Sequence, residues 1–485
     1  MDLSKLNQKI KENKTAVYIF LLLLIGFFTY FYKYWYPPKQ FWDENYHIAS
    51  AQKYIDGVMY MEPHPPLGKM FIALGEVLLN PNEGIDRSYF TKTDYIKKFP
   101  KDMSFAGYRF FPALFAWINV VLFFLILKEL VKDDLLAFFG SFLYLFDNAI
   151  ITHSRAAMLE STQLFFIFGA LWWFIKKYEE EKTLKDYLIL GIWSGLALAV
   201  KANSAILLLL FLLWGFKEFR KGKKLAILKG GVAYGLAAGL MFFGVFYLHF
   251  ALGQKMPTHK SYAASKEYKE IIKQGEVANI TNFPIMMRDN LKYMSDYQKG
   301  VPKLNLCKKG ENGSLFIGWP LGIKAISYRW EKHGSLVQYI YLQGNPVTWM
   351  IGLIAVFLSI VLVVSVAIFK TPIKNRRIFE YIAIFTFIYI SYMIAVGQIP
   401  RVMYLYHYFI PLTISYILAV LILYYLFEEY IKQRDKLVWG SILSVIVAII
   451  FTWWFYSPFS YYKPLNTLEF NKRIWFDYWK LRPVR

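Results

Sequence analysis

In "DENYHIASAQKY", residues 43–54, Asp43, His47, Ser50 and Tyr54 recur at i, i+4, i+7 and i+11, a spacing that lines one face of a helix. Neighbouring helical residues sit about 100° apart, so Asp43 and Glu44 cannot flank one bond as the paired carboxylates of a glycosidase do. One acid acts directly and the other orients: Asp43, on the shared face, is the expected base and Glu44 its helper. Asp43 and His47 at i, i+4 have a spacing that can chelate a metal. No second tight ligand pair lies nearby, so no metal and no cofactor is expected to be required. The next segment, "EPHPPLGK" at 62–69, is stiff, because each residue before a proline is driven to extended geometry.

The elements that must hold these residues are read from composition. The 485 residues are 56% hydrophobic and 20% aromatic, with positive mean hydropathy, a profile of membrane proteins. The formal charge of +22 falls in clusters between apolar runs of about 20 residues, each enough to cross the hydrocarbon as helix. That pattern sets topology and argues against a nucleic-acid partner. The single cysteine, Cys307, leaves no internal disulfide and no paired-cysteine zinc site.

A basic leader with Lys5, Lys9, Lys11 and Lys14 precedes a first apolar run, 16–36, that lacks a cleavage site and reads as a retained span. Ten more runs follow, near 106–127, 135–152, 158–175, 187–200, 203–216, 227–250, 345–369, 379–397, 408–427 and 437–456. The expectation is an all-α polytopic protein of about eleven spans. The short loops "KELVKDD", "KKYEEEKTLKD", "KEFRKGKKLAILK", "FKTPIKNRR" and "EEYIKQRDK" place the amino terminus in the cytoplasm by charge bias. The opposite, outer side receives the long segments 37–105 and 253–340 and three turns, around "ITHSRAAMLES", "VKAN" and "VGQIPRVMYLYHY", and long connections carry function. In 253–340, "THKSYAASKEYKEIIKQGE" reads as a helix and "CKKGENGS" as a turn.

An acidic pair after the first span, followed about twenty residues later by His-Pro-Pro-Leu-Gly-Lys, resembles the protein O-mannosyltransferase family of the GT-C class. Further matches stand in family order: "GYRFFPALF", "FDNAIITHSRAAMLES", "LAVKANS", "GWPLGIKAISYRW" with "YIYLQGNPVTWM", and "RVMYLYHYFIPL". The resemblance runs from about residue 40 to 430. It implies three regions: a GT-C membrane module over 1–250 that carries the loop 37–105, an outer loop at 251–344, and a four-helix membrane region at 345–485. Two departures stand out. The outer loop has no room for the β-trefoil (MIR) domain of eukaryotic members, so the chain is similar to shorter prokaryotic members. The family's usual aspartate in "SRxxLLDS" is Glu160 here.

The resemblance implies transfer of mannose from a polyprenyl-phosphate carrier to Ser or Thr hydroxyls of secreted or membrane polypeptides, with inversion, in the plasma (inner) membrane. A hydroxyl nucleophile needs a base in the transition state, a role the resemblance gives Asp43, with Glu44 beside it. The leaving phosphate gathers negative charge that fixed cations stabilise. Arg109, Arg155, Lys201 and Arg401 stand at the outer ends of spans, where an idle charge is costly. Tyr54, His64 and His407 are the remaining candidates for phosphate or sugar.

Two other classes fit parts of the pattern. A GT-C enzyme that glycosylates a lipid or a glycan shares the acid and the cations but not "HPPLGK", "GNPVTW" and "YHYFIPL" together. A transporter would show repeats and paired broken helices, and none is visible in the sequence. An oligosaccharyltransferase would carry a WWDxG-type segment, whereas "WWF" and "TWWFY" lack the acid and the glycine.

Overall fold

The structure is a computed structural model and describes residues 13–484. Lys5, Lys9 and Lys11 of the basic leader lie outside the described residues. The chain folds as two compact units that interleave along the sequence: 33–116 with 154–302, and 13–32 with 117–153 and 303–484.

The first unit carries the long loop 37–105. The helix Glu44–Ile55 forms within a residue of its expected limits, and Leu67–Leu79 follows the proline run. Four apolar helices come next, Glu160–Lys177, Leu184–Val200, Leu208–Arg220 and Lys224–Leu252. Leu184–Val200 starts at a capping box in which Thr183 and Asp186 exchange bonds, satisfying two amides that a helix start leaves orphaned. It packs directly on Lys224–Leu252 through glycines: a Cβ on Gly195 would stand 2.5 Å from the Ala238 carbonyl oxygen. Small residues at such contacts allow the close backbone approach by which membrane helices associate. In the second long loop the helix Lys266–Lys273 is shorter than expected, and Phe283–Gly300 packs its methionines with Met59, Met61 and Phe250.

The second unit opens on Lys14–Gly26, whose last turn widens over Phe27–Phe31. Four long helices follow at Pro346–Phe369, Arg376–Gly397, Phe409–Lys432 and Lys436–Ser460, the four-helix region expected near the carboxy terminus. The run expected at 135–152 is broken, with a 64° bend between 134–145 and 148–154. Asp147 fills the break, accepting from the Ile150 amide (2.8 Å), the Trp349 indole (2.6 Å) and the Tyr416 hydroxyl (2.8 Å). Buried backbone freed by a break must find such partners.

The all-α expectation needs one correction. Ile326–His333 (β1) and Leu336–Leu342 (β2) form an antiparallel hairpin extended by Pro464–Leu465 (β3). The turn rests on Gly334 at φ +62°. Tyr339, Tyr341, Phe459, Phe470 and Trp479 build a separate aromatic core there. By length and apolarity eight helices can cross a membrane among the described residues, or nine if the bent pair is one span. Of the other expected spans, Glu160–Lys177 carries three charged residues and Leu184–Val200 has only 17 residues.

Candidate active site

Trp42 sets the entry to the site. Its backbone lies in the left-handed region, φ +54°, which a bulky residue adopts only when its surroundings enforce it. The chain then turns into Glu44–Ile55 with Asp43 as the N-cap residue, and the Asp43 carboxylate does not cap the helix. The cap amides are met by the Asp43 backbone carbonyl, which accepts from Tyr46 and His47 at 3.0 and 3.1 Å. The Asp43 side chain is half-buried and lies within electrostatic reach of Lys69.

Glu44 is wholly buried; its Oε1 accepts from Arg109 Nε (2.7 Å) and the Ala157 amide (2.8 Å), and its Oε2 from Arg109 Nη2 (2.8 Å) and the Phe41 amide (3.0 Å). Arg109 gives its remaining N–H groups to the carbonyls of Trp35, Pro37 and Lys39 at 2.7–2.8 Å, and its guanidinium packs against the Phe41 and Phe105 rings. A guanidinium has five donors, and all five are engaged. Arg109 is thus a clamp that aims Glu44 and the chain beside Asp43.

Three more residues lock the helix. His47 Nδ1 donates to the Ala157 carbonyl at 2.7 Å, and burial, followed by the Lys69 charge, pushes the imidazole down to about 3. Ser50 donates to Glu62. The Tyr54 hydroxyl meets His249 Nδ1 at 2.7 Å in the interior, where burial pushes the phenol up. Tyr54 thus ties this helix to Lys224–Leu252 through His249.

Lys201 ends Leu184–Val200 and is buried, with its ammonium 2.6 Å from Glu160 Oε1. The glutamate at this family-variant position is the counterion of a candidate phosphate ligand. Arg155, also buried, gives Nη2 to the Lys33 carbonyl at 2.8 Å. His64 stands half-buried in the stiff loop before Leu67–Leu79. Sequence reasoning missed Lys69, although it closes the quoted "HPPLGK". It is buried and paired with Glu62; burial first, then Lys53 and Lys201, pull its pKa well below the usual lysine range while Asp43 and Asp94 oppose. Asp43, His47, Lys69, Glu160 and Lys201 thus share one electrostatic neighbourhood. Among the described residues no group of three His, Cys, Asp or Glu gathers into a metal cage.

The second unit holds the other two expected residues. His407 stacks on Tyr406 and Trp319. Arg401 is half-buried, and its Nε is a buried donor with no hydrogen-bond partner among the described residues, an arrangement that costs free energy unless a ligand meets it. His153, another unpredicted residue, bonds to the Tyr328 hydroxyl at 2.7 Å and stacks on Tyr406.

Residues 20–252 match the family model for dolichyl-phosphate-mannose-protein mannosyltransferase, and 292–479 match that for the C-terminal four TMM region of protein-O-mannosyltransferase. Over 187 residues the chain is 34% identical to Dolichyl-phosphate-mannose--protein mannosyltransferase 1 of Candida albicans, covering 37% of this chain and 20% of that protein. It is 30% identical over 158 residues to Protein O-mannosyl-transferase 2 of Danio rerio, covering 32% of this chain and 20% of that one. The matched segment spans only about a fifth of the length of such relatives. Among solved structures, the S. cerevisiae protein O-mannosyltransferase Pmt1-Pmt2 complex bound to the sugar donor superposes with a TM-score of 0.79 at 15% identity, over 96% of this chain and 92% of that one. The oligosaccharyltransferase AglB of Archaeoglobus fulgidus gives a TM-score of 0.54 at 12% identity, over 96% of this chain and 58% of that one. The fold is that of the GT-C enzymes, and the chain belongs to the protein O-mannosyltransferase family.

Proposed function

We propose that this protein transfers mannose from a polyprenyl-phosphate carrier to Ser or Thr hydroxyls of polypeptides, with inversion and with Asp43 as general base. The observation that supports the reading is the anchoring of the acidic pair: four hydrogen-bond donors on the two Glu44 oxygens fix the turn that carries Asp43, and Asp43 shares the electrostatic neighbourhood of Lys69. The Asp43 carboxylate takes the proton of the acceptor hydroxyl as that oxygen bonds to the anomeric carbon. The bond from that carbon to the phosphate oxygen breaks on the opposite face, and the carrier phosphate leaves with the electron pair. Lys201 and Arg155, with His64, stabilise that phosphate and orient the sugar, and Glu160 fixes the Lys201 ammonium. A positioned base contributes about 10²–10⁴-fold. Relatives named for dolichyl-phosphate mannose support the choice of donor.

The loop charges support a topology with the amino terminus in the cytoplasm and the site on the outer face of the plasma membrane. The test combines purified protein in nanodiscs, polyprenyl-phosphate mannose and a Ser/Thr-rich peptide. α-Mannosyl peptide made from the β-linked donor is expected. Donor-dependent labelling of a lipid or glycan with none of the peptide would replace the acceptor class, and a β-linked product would remove the single inverting displacement.

A further inference from the structure

An apolar cleft lies within the second unit. Its volume is about 490 Å³, and it opens between the 134–145 segment and the helices Pro346–Phe369, Phe409–Lys432 and Lys436–Ser460. Apart from Ser441 its lining is hydrophobic, with Leu136, Ala355, Ala419, Leu426, Leu437 and Val445 marking its extent. A wall with almost no hydrogen-bonding groups suits a hydrocarbon chain.

One end of the cleft is polar and cationic. Lys374 directs its ammonium to the carbonyl of Leu426, a lining residue, at 3.5 Å. Lys436 directly precedes the lining residues Leu437 and Val438. Of the carboxylates nearby, Asp133 pairs with Arg434 at 2.9 Å and Glu428 with Lys432 at 2.6 Å, while Asp435 caps the amides of Leu437 and Val438 at 3.0 Å. Among the described residues, Lys374 and Lys436 have no carboxylate within salt-bridge distance. Phe427, a lining residue, breaks helical geometry at this end, φ −119° and ψ 23°.

We infer that this cleft binds an anionic phospholipid, with an acyl chain against the apolar wall and the phosphate on Lys374 and Lys436. The tail supplies affinity by burying apolar area, and each lysine near the headgroup favours an anionic lipid about fivefold. The site is independent of the transfer reaction.

The test places the full chain in nanodiscs of phosphatidylcholine with one tenth phosphatidylglycerol and reads retained lipids by native mass spectrometry. Phosphatidylglycerol is expected to be retained well above its bulk share. Lys374→Gln and Lys436→Gln should each reduce that preference about fivefold while a lipid is still retained. Val445→Trp, at an exposed lining position that tolerates bulk, should remove the retained lipid with melting temperature unchanged. Retention at the bulk ratio, or retention indifferent to Val445→Trp, overturns the site. A retained polyprenol, or a dimer that Val445→Trp dissociates, overturns the occupant.

Discussion

Glu44 spends both carboxylate oxygens on donors of the protein itself. Removing charge from Glu44 strands Arg109, a wholly buried guanidinium, and breaking a buried pair on one side costs about 3–5 kcal/mol. Glu44→Gln should therefore lower thermal stability clearly as well as activity, in a fluorescence melt in detergent. Asp43→Asn should leave the melt in place. His47 supplies the pH dependence. Its folded-state pKa, about 3, lies below the ordinary value near 6.5, so between these values the unfolded chain binds the extra proton. The His47 contribution is whole above pH 6.5 and is lost as pH falls toward 3. Melting temperature should thus drop less steeply below pH 6.5 in His47→Gln than in the wild type, and equal slopes would remove His47 as the cause.

Helices are legible in this sequence wherever an apolar run is long and ends at charge, as at Pro346–Phe369 and Lys436–Ser460. Period and length are local properties of the chain. The β1–β2 hairpin was not read because "ISYRWEKHGSLVQYIYL" carries buried tyrosines and charges on the same strands, which blurs a two-residue alternation. The site was legible as a segment but not as a network. Asp43, Glu44 and the run to Lys69 lie in one stretch, whereas the partners of Arg109, Tyr54 and Lys201 stand 65, 195 and 41 residues away. No spacing rule links such positions, so the protein partners of Arg109 and Tyr54 are not legible in the sequence. At this scale the close crossing of Leu184–Val200 on Lys224–Leu252 is testable. Gly195→Leu forces a side chain into the Ala238 backbone, and overpacking of this kind costs about 1–3 kcal/mol. A melt lowered by several degrees, with Lys201 function impaired through its helix, is expected; an unchanged melt would contradict the packing.

For the whole molecule, the distribution of lysine and arginine predicts which loops face the cytoplasm, and Cys307 offers a native reporter. It is the only cysteine of the chain and is exposed in the second long loop. In intact cells or right-side-out vesicles a membrane-impermeant maleimide should label it without permeabilisation. Labelling only after permeabilisation would invert the proposed topology and put the base on the cytoplasmic side.

The central claim is that Asp43 removes the acceptor proton while the fold around it is held by other groups. The most direct measurement is single-turnover mannosyl transfer by Asp43→Asn, alongside donor binding and thermal stability of the same preparation. The account predicts transfer reduced at least about 10²-fold, with donor affinity and melting temperature close to wild type. Transfer near the wild-type rate in a protein that binds donor would contradict it.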